Sequence, residues 1–552
     1  MVMIPTTAPV QPVSQLVSGQ APPPDYYAEN LGRLIAEVAM RHSDLMAPEE
    51  RALAAAWNTL SVGPRRLLAR ILSRKGPWIR VDSLNYPEVA CSERALQELE
   101  SAGVIARNPV APADALLKQL TVPELHALFP LARARRKFDV IAELILRHSD
   151  DAIRGRVGQA YPWIALQQPV SFARLQVLFF GSMRDDLTTF ILEDLGIRRF
   201  ESYRVDHTTR AFSTPAELNH YLSLQRCSRW LETNDWSACA RTAARSVLSE
   251  RTEARATERV RSRLLNQLGA QFEREQEFDL ALECYGASSF HPARERSIRM
   301  LQRLGDESGA QTLIQEAEHD PWSAAEEDFI ARQRAGKRRM GPSPVINEQR
   351  RSADEIERAM EDSIEVFACT ELAREHRRAW HLENQFPLGL AGVLFWDAIY
   401  APVPGAFTHR YQAGPRDLFW PDFASRRAAV IASRVEELAD AQRFQHQIME
   451  ITNSKRNITN RLVKWSLWDH ELAEALTSLQ DHRSMVTLAH HVITHLDRAR
   501  TGFPDLLVID THGVFEFVEV KSPTDQLQPA QRTWLRTLAQ LGLSASVRWY
   551  RK

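Results

Sequence analysis

Most of the chain repeats apolar residues at the i, i+3, i+4 spacing of a helix buried on one side, and only its last fifty residues break that period. From Tyr27 to about Leu60, LGRLIAEVAMRHSDLMAPEERALAAAW keeps the helical spacing and is interrupted near Pro48, where proline cannot continue a helix. GPRRLLARILSRKGPWIRVDSLNY predicts a helix after Gly63-Pro64 and then a short strand around Trp78 to Val81. SERALQELESAGVIARNP predicts another helix, closed by Gly103 and an apolar edge. Between 113 and 148 the pattern gives two short helices, TVPELHALFP with Thr121 as N-cap and KFDVIAELILRHS. From about 160 to 330 nearly everything reads helical, and helices return after about 351. Then FPDLLVID and VFEFVEVK, two apolar runs joined by Thr511-His512-Gly513, predict a β-hairpin. PAQRTWLRTLAQLG and SASVRWY add a helix and a last strand, completing an α/β unit.

At 552 residues the chain is long enough for three or four domains at ~150 residues each. Its 69 Lys+Arg against 70 Asp+Glu give a net charge of -1, so any nucleic-acid contact has to come from local patches. Cys91, Cys227, Cys239, Cys284 and Cys369 lie far apart with no C-x-x-C pair, which excludes a zinc finger and a disulfide scaffold and fits a reducing compartment. No apolar run approaches the ~18 residues of a membrane helix. The first residues lack the basic and apolar regions of a secretory signal, and their prolines predict an extended or disordered tail over 1–28. A cytoplasmic protein is the expectation. Between Arg332 and Arg339 five basic residues precede Gly341, Pro342 and Pro344, which predicts a linker over 336–350.

The hairpin carries the chemistry. Residues i and i+2 of a strand share a face, so the face of Phe515 and Phe517 continues into Glu519 and Lys521. A carboxylate and an amine at the end of an apolar face are unfavourable to bury unless paired or metal-bound. Asp505 opens the neighbouring strand, close enough across the hairpin to meet Glu519, and the Val520 carbonyl can add a further oxygen. Two carboxylates converging there suit Mg²⁺ or Mn²⁺ and phosphodiester hydrolysis, with Lys521 orienting water or holding the scissile phosphate. E-x-K alone is common and usually a surface ion pair; the Pro-Asp at the start of the preceding strand tips the reading to a nuclease.

Other features say less. Arg65, Arg66, Arg70, Arg74, Lys75 and Arg80 lie between Ser61 and Asp82 and, with Trp78, suit a DNA backbone; a solvated helix face is the plainer alternative. Arg133, Arg135, Arg136 and Lys137 form a second basic run. Asp354, Glu357, Glu361 and Glu365 fall on one helical stripe that reads as a solvated acidic face. His490, His491 and His495 read as packing or surface histidines, not as a zinc site. HELAE at His470 lacks the second histidine of H-E-x-x-H, and no phosphate-binding G-x-x-x-x-G-K-[ST] loop exists, so no nucleotide cofactor is expected.

F-P-D-L, E-V-K, Asp525 and Q-x-x-W-L resemble the PD-(D/E)xK nuclease fold in its VRR-NUC form. The wider chain, over about 60 to 550, is similar to the Fanconi-anaemia-associated nuclease family in a bacterial version. LSVGPRRLLARILSRKGPWIRVDSLNY and LTVPELHALF resemble its winged and SAP segments, ASSFHPARERSIRML its helical-repeat segment, and GLAGVLFWDAIY the start of its nuclease part. The resemblance implies a multidomain, mainly α protein. Its parts would be a winged-helix and SAP-like DNA-binding region at 29–155, a TPR-like helical region at 156–335, and an α/β restriction-endonuclease-like nuclease domain at 351–552. It implies a metal-dependent, structure-specific DNA nuclease, a 5′-flap endonuclease and 5′-3′ exonuclease in interstrand-crosslink repair, using two Mg²⁺ or Mn²⁺ ions. Branched or flapped DNA is the implied partner, with no membrane, a monomeric state, and association with the nucleoid during work on DNA. Asp505, Glu519 and Lys521 match the catalytic triplet, and Glu383 in WHLENQFP matches the upstream acid of the metal site. Asp525 and Gln531 match the supporting segment after the lysine; Ser522 and Gln526 stand where the family often has Gly-Pro and Arg. The alternatives are a non-catalytic helical scaffold with a degenerate nuclease domain, and a nuclease for four-way junctions or RNA.

Overall fold

The computed structural model describes residues 26–550 except 75, 77, 90–91, 130–135, 183–197, 234–235, 336–346, 352–362, 374–376 and 523. Lys75, Arg133 and Arg135, most of the basic linker, nearly all of the proline-rich tail, and Asp354, Glu357 and Glu361 therefore lie outside the described residues. The chain divides into two compact units, 1–197 with 213–215, and 198–212 with 216–552.

In the first unit the helices Tyr26–Arg41, Pro48–Thr59, Val62–Leu72 and Ser92–Ser101 surround strands β1 (Trp78–Arg80) and β2 (Ile105–Arg107). These two strands do not pair with each other. Both pair antiparallel with β3 (Trp163–Leu166), giving the order β1-β3-β2. The expectation of nearly unbroken helix from 160 onward is corrected here. WIAL is a short apolar run, mostly buried, that shows no strand alternation and so carries no period to read. Three helices, Ala113–Gln119, Val122–Leu128 and Lys137–Arg147, stand where two were expected, and they share one apolar core with Trp163. Thr121 caps the middle one: its hydroxyl accepts from the Glu124 N–H while the Glu124 carboxylate accepts from the Thr121 N–H at 2.6 Å.

The second unit begins with consecutive helices, among them Arg255–Arg274, Phe278–Gly286, Ala293–Leu304, Glu307–His319 and Ala324–Ala335. The first two of these pack closely for a steric reason. A Cβ on Gly269 would lie 2.7 Å from the Tyr285 ring, so only glycine lets those two helices approach.

A five-stranded sheet of order β4-β8-β7-β6-β5 follows: β4 Asn347–Arg351, β5 Arg377–His381, β6 Leu506–Asp510, β7 Phe515–Lys521 and β8 Ala545–Tyr550. β5 and β7 each run antiparallel to β6 between them, whereas β8 runs parallel to β7 and to β4. The hairpin and the last strand match the sequence reading. β4 and β5 correct it, because NEQRR and RRAWH are polar segments with no apolar run to mark them as sheet edges. β6 and β7 read as apolar runs because both faces are covered. Val518 and Val520 pack with Ala368 and Leu372 of the helix Ile364–Ala373, while Phe515 and Phe517 join a larger core with Trp534 and Leu538 of the helix Pro529–Gln540. The hairpin turn is fixed at Asp510, whose Oδ1 accepts from the His512 and Val514 N–H groups. Gly513 sits at φ +78 with Ser478 O only 2.3 Å from where a Cβ would stand.

Candidate active site

The sheet brings together the acids that the sequence separates by more than a hundred residues. β5 pairs with β6 so that His381 faces Leu506, and beyond that pair the Leu382 and Glu383 N–H groups both donate to the Asp505 carbonyl, at 3.0 and 3.1 Å. Glu383 is thus carried to Asp505 by its backbone. It takes φ +45, a left-handed conformation that glutamate adopts only where its surroundings impose it. Its side chain is half exposed and lies 3.1 Å from His381 Nε2.

Asp505 Oδ2 accepts from the Val520 N–H at 2.7 Å, tying the start of β6 to the end of β7. The two backbone groups of one strand residue face the same lateral neighbour, so the Val520 carbonyl faces that edge as well. Extending the register from Leu506↔Val518 sets Val520 against Pro504, whose ring has no N–H to offer that carbonyl.

Glu519 is 0% exposed and Lys521 7%. Lys521 Nζ stands 2.6 Å from Glu519 Oε1, and Gln531 Nε2 donates to the same oxygen at 2.5 Å. Glu519 Oε2 is buried without a hydrogen-bond partner. Burial first, then the neighbouring charge of Asp505, pushes the Glu519 carboxyl up to about 7, against the pull of Lys521. Asp505 is raised too, chiefly by burial; Val520 and Lys521 pull it down, and Glu365 and Glu383 push it up.

Glu365 is the acid that the sequence reading set aside. It lies in the first turn of the helix Ile364–Ala373, and its charge acts on Asp505. The signal was present in the acidic stripe, but periodicity alone does not say which side of a helix meets a sheet. Asp525 has a local role: its Oδ2 accepts from the Ser522 N–H at 2.9 Å and closes the loop after Lys521. Gln531 touches Glu519 directly.

The basic residues fare differently. Arg65 donates to the Trp57 and Asn58 carbonyls, Arg66 to the Glu88 carbonyl, Arg70 to the Glu88 carboxylate, and Arg74 to Tyr86 and Ser83. Arg80 bridges Asp82 and Glu124. Lys137 Nζ donates to the Lys118 carbonyl, while Arg136 is exposed. The guanidiniums between Ser61 and Asp82 thus each brace their own fold, whatever else they touch. His491 stacks on His495 at 4.6 Å and meets the Trp534 ring edge-on, which makes it a packing residue.

Among the described residues no three His, Cys, Asp or Glu side chains are already gathered around one metal position. The donor set nevertheless fits a hard divalent cation. It offers an orphaned carboxylate oxygen, two carboxyls raised by burial and by neighbouring acids, and a backbone carbonyl whose ladder partner is proline. The sign of the pH effect follows from proton counts. Folded Glu519 keeps its proton to about 7 and an ordinary glutamate to 4.5, so metal-free stability falls as pH rises between those values. A cation needs the carboxylate ionised. Thermal stabilisation by Mn²⁺ is therefore expected to be larger at about pH 8 than at about pH 6. Melting curves with and without Mn²⁺ check this; equal shifts at both values would contradict it.

A four-stranded β5-β6-β7-β8 core, flanked by helices and carrying Pro-Asp and Glu-x-Lys at adjoining strand ends, defines a metal-dependent nuclease of the PD-(D/E)xK type. The comparisons agree. Residues 25–106 match the family model "FAN1, HTH domain", and residues 439–548 match the VRR-NUC domain. The chain is 30% identical to the Fanconi-associated nuclease 1 homolog of Pseudomonas aeruginosa over 96% of this chain and 97% of that one. It is 25% identical to the Arabidopsis thaliana homolog, covering 94% of this chain and 66% of that one. With the human Fanconi-associated nuclease 1 it shares 23% identity, over 96% of this chain and 63% of that one. A solved structure of paFAN1 bound to 2-nt 5′-flap DNA with a gap superposes with a TM-score of 0.81 at 28% identity, covering 96% of this chain and 99% of that one. The chain belongs to the Fanconi-associated nuclease 1 family: it is a mainly α, multidomain nuclease with an N-terminal helix-turn-helix part and a C-terminal VRR-NUC domain. Among its described residues no helix is long and apolar enough to cross a membrane.

Proposed function

We propose that this chain hydrolyses DNA phosphodiesters at 5′ flaps, endonucleolytically and as a 5′-3′ exonuclease, in interstrand-crosslink repair. The buried Glu519, with its orphaned oxygen and the half-buried Asp505 acting on its charge, carries the reading. Asp505, Glu519, Glu383 and the Val520 carbonyl would hold Mg²⁺ or Mn²⁺, two ions in all, with Glu365 adding negative charge beside Asp505. A divalent ion there supplies the Lewis acidity for attack by water on the phosphodiester. The chain supplies the rest. Gln531 holds Glu519 in place, the Val520 N–H fixes Asp505, and Lys521 is the cation that orients water or the scissile phosphate. The reading assigns each part of the chain a role. Residues 29–155 are the DNA-binding region, 156–335 the TPR-like region, and 351–552 the nuclease domain. The protein would work as a monomer in the cytoplasm, on nucleoid DNA.

Support for the substrate comes from paFAN1, solved with 1-nt and 2-nt 5′-flap DNA, to which this chain is 28% identical over 96% of its length. Flap, splayed, nicked and four-way DNA incubated with Mg²⁺ or Mn²⁺, and again with EDTA, test the reading. Cleavage is expected on the flap first and to vanish with EDTA; preference for four-way DNA, or cutting that survives chelation, would overturn it.

A further inference from the structure

A second site opens in the same unit, away from the carboxylates. The C-terminal side of the helical region and the segment 420–422 enclose a cavity of 290 Å³, at the small end of the ~300–1,000 Å³ range of ligand pockets. Its walls carry three aromatic rings, Phe290, Trp322 and Trp420. The Arg259 guanidinium lies 4.2 Å from the Phe290 centroid and 4.4 Å from that of Trp420. One of its nitrogens, Nη1, is buried with no hydrogen-bond partner, as is Nδ1 of His291 in the same wall. Arg255 is engaged by Asp422. Burial, with Arg263 nearby, pulls Arg259 down to about 10, as for a cation whose desolvation no carboxylate offsets.

The walls choose the ligand. A bare phosphate would want several free cations and a polar cradle, whereas this cavity presents flat rings and two unused ring or guanidine nitrogens. Aromatic side chains and arginine planes stack nucleobases whatever their sequence, and an acceptor-bearing base edge satisfies an orphaned N–H. The cavity wall is also tied to the segment that leads into Asp505. Arg498, seven residues before Asp505, donates from Nη1 to Glu327 at 2.7 Å and from Nη2 to the Pro321 carbonyl at 3.3 Å. Trp322 stands between those two anchors, and its own N–H donates to Glu326, which also holds Arg294. One short segment thus forms a cavity wall and anchors Arg498.

We propose that this cavity receives one unpaired nucleobase of the DNA substrate, stacked against Trp322 and Trp420 with its edge on Arg259, and so sets which phosphate lies over the carboxylates. The inference rests on the flap-nuclease reading and adds a base-binding subsite to it.

The test compares two 5′-flap substrates with the full-length protein, one with ordinary flap nucleotides and one whose unpaired nucleotides are all abasic. The phosphates are the same in number, so the salt-dependent part of binding cancels. With EDTA present to prevent cutting, wild type is expected to bind the ordinary flap roughly five- to a hundred-fold tighter, the range of one base–aromatic stack. Trp420→Ala and Arg259→Gln should each remove that difference while leaving affinity for fully paired duplex unchanged, and Trp420→Phe should restore it. A 2-aminopurine in the flap should be quenched by wild type and not by Trp420→Ala. Equal binding of the two flaps by wild type overturns the proposal, and so does a Trp420→Ala variant that weakens flap and duplex alike. Mn²⁺-dependent cleavage is scored separately. A wild type that cuts flaps but ignores the missing bases refutes only the cavity's role, whereas one that cuts nothing refutes the nuclease reading beneath it.

Discussion

Asp505→Asn is expected to lower single-turnover cleavage of a 5′-flap duplex by about 10³-fold or more, ~4 kcal/mol of barrier, while binding of the same DNA in EDTA changes little. The substitution isolates the charge. An asparagine oxygen still accepts from the Val520 N–H, so the tie between the start of β6 and the end of β7 survives. The Leu382 and Glu383 N–H groups bond to the residue's carbonyl, which the substitution leaves alone. What disappears is one of two carboxylates whose repulsion makes a divalent cation welcome. Quench-flow cleavage and fluorescence polarisation on one preparation separate the two effects. A variant that cuts within tenfold of wild type would remove Asp505 from the chemistry.

Glu519→Gln should produce the opposite signs in stability and activity. At about pH 8 the buried Glu519 carboxyl, raised to about 7, is ionised at a cost that an amide does not bear. Metal-free Glu519→Gln is therefore expected to be more stable than wild type by about 1–3 kcal/mol at that pH, and to lose the advantage toward about pH 5. Lys521 and Gln531 still meet an oxygen at that position, so the packing of β7 persists. Cleavage should fall by about 10³-fold, because a neutral amide is a poor partner for a hard cation. Denaturant melts at both pH values, alongside flap cleavage, check it. A variant less stable than wild type at both would show that the Lys521 ion pair outweighs the burial of the charge.

How much of this was legible depends on which face each element buries. β6 and β7 are covered on both sides, so their apolar runs stood out, and Glu519 and Lys521 were conspicuous as charges where Phe515 and Phe517 promised a core. Asp505 followed from the turn that joins the two strands. Glu383 came only through resemblance, because RRAWH is a polar edge strand and the backbone turn that delivers the carboxylate leaves no periodic trace. Glu365 sat in a stripe that read as solvated, and only the packing of the helix Ile364–Ala373 on Val518 and Val520 brings its charge within reach of Asp505. β3 was missed because four apolar residues fit a helix as well as a strand. The partners of the Ser61–Asp82 arginines were hidden for another reason. Counting positive charge ignores Glu88 and Glu124, which lie outside the window and hold Arg70 and Arg80.

Both losses of cleavage depend on a divalent cation held at the ends of β6 and β7. Crystals of the full-length protein soaked in Mn²⁺ and measured at the manganese absorption edge address it most directly. An anomalous peak within coordinating distance of Asp505, Glu519 and the Val520 carbonyl, lost in Asp505→Asn, is the expected result. Manganese bound elsewhere, with Lys521 still seated on Glu519 and no peak between the two carboxylates, would contradict it.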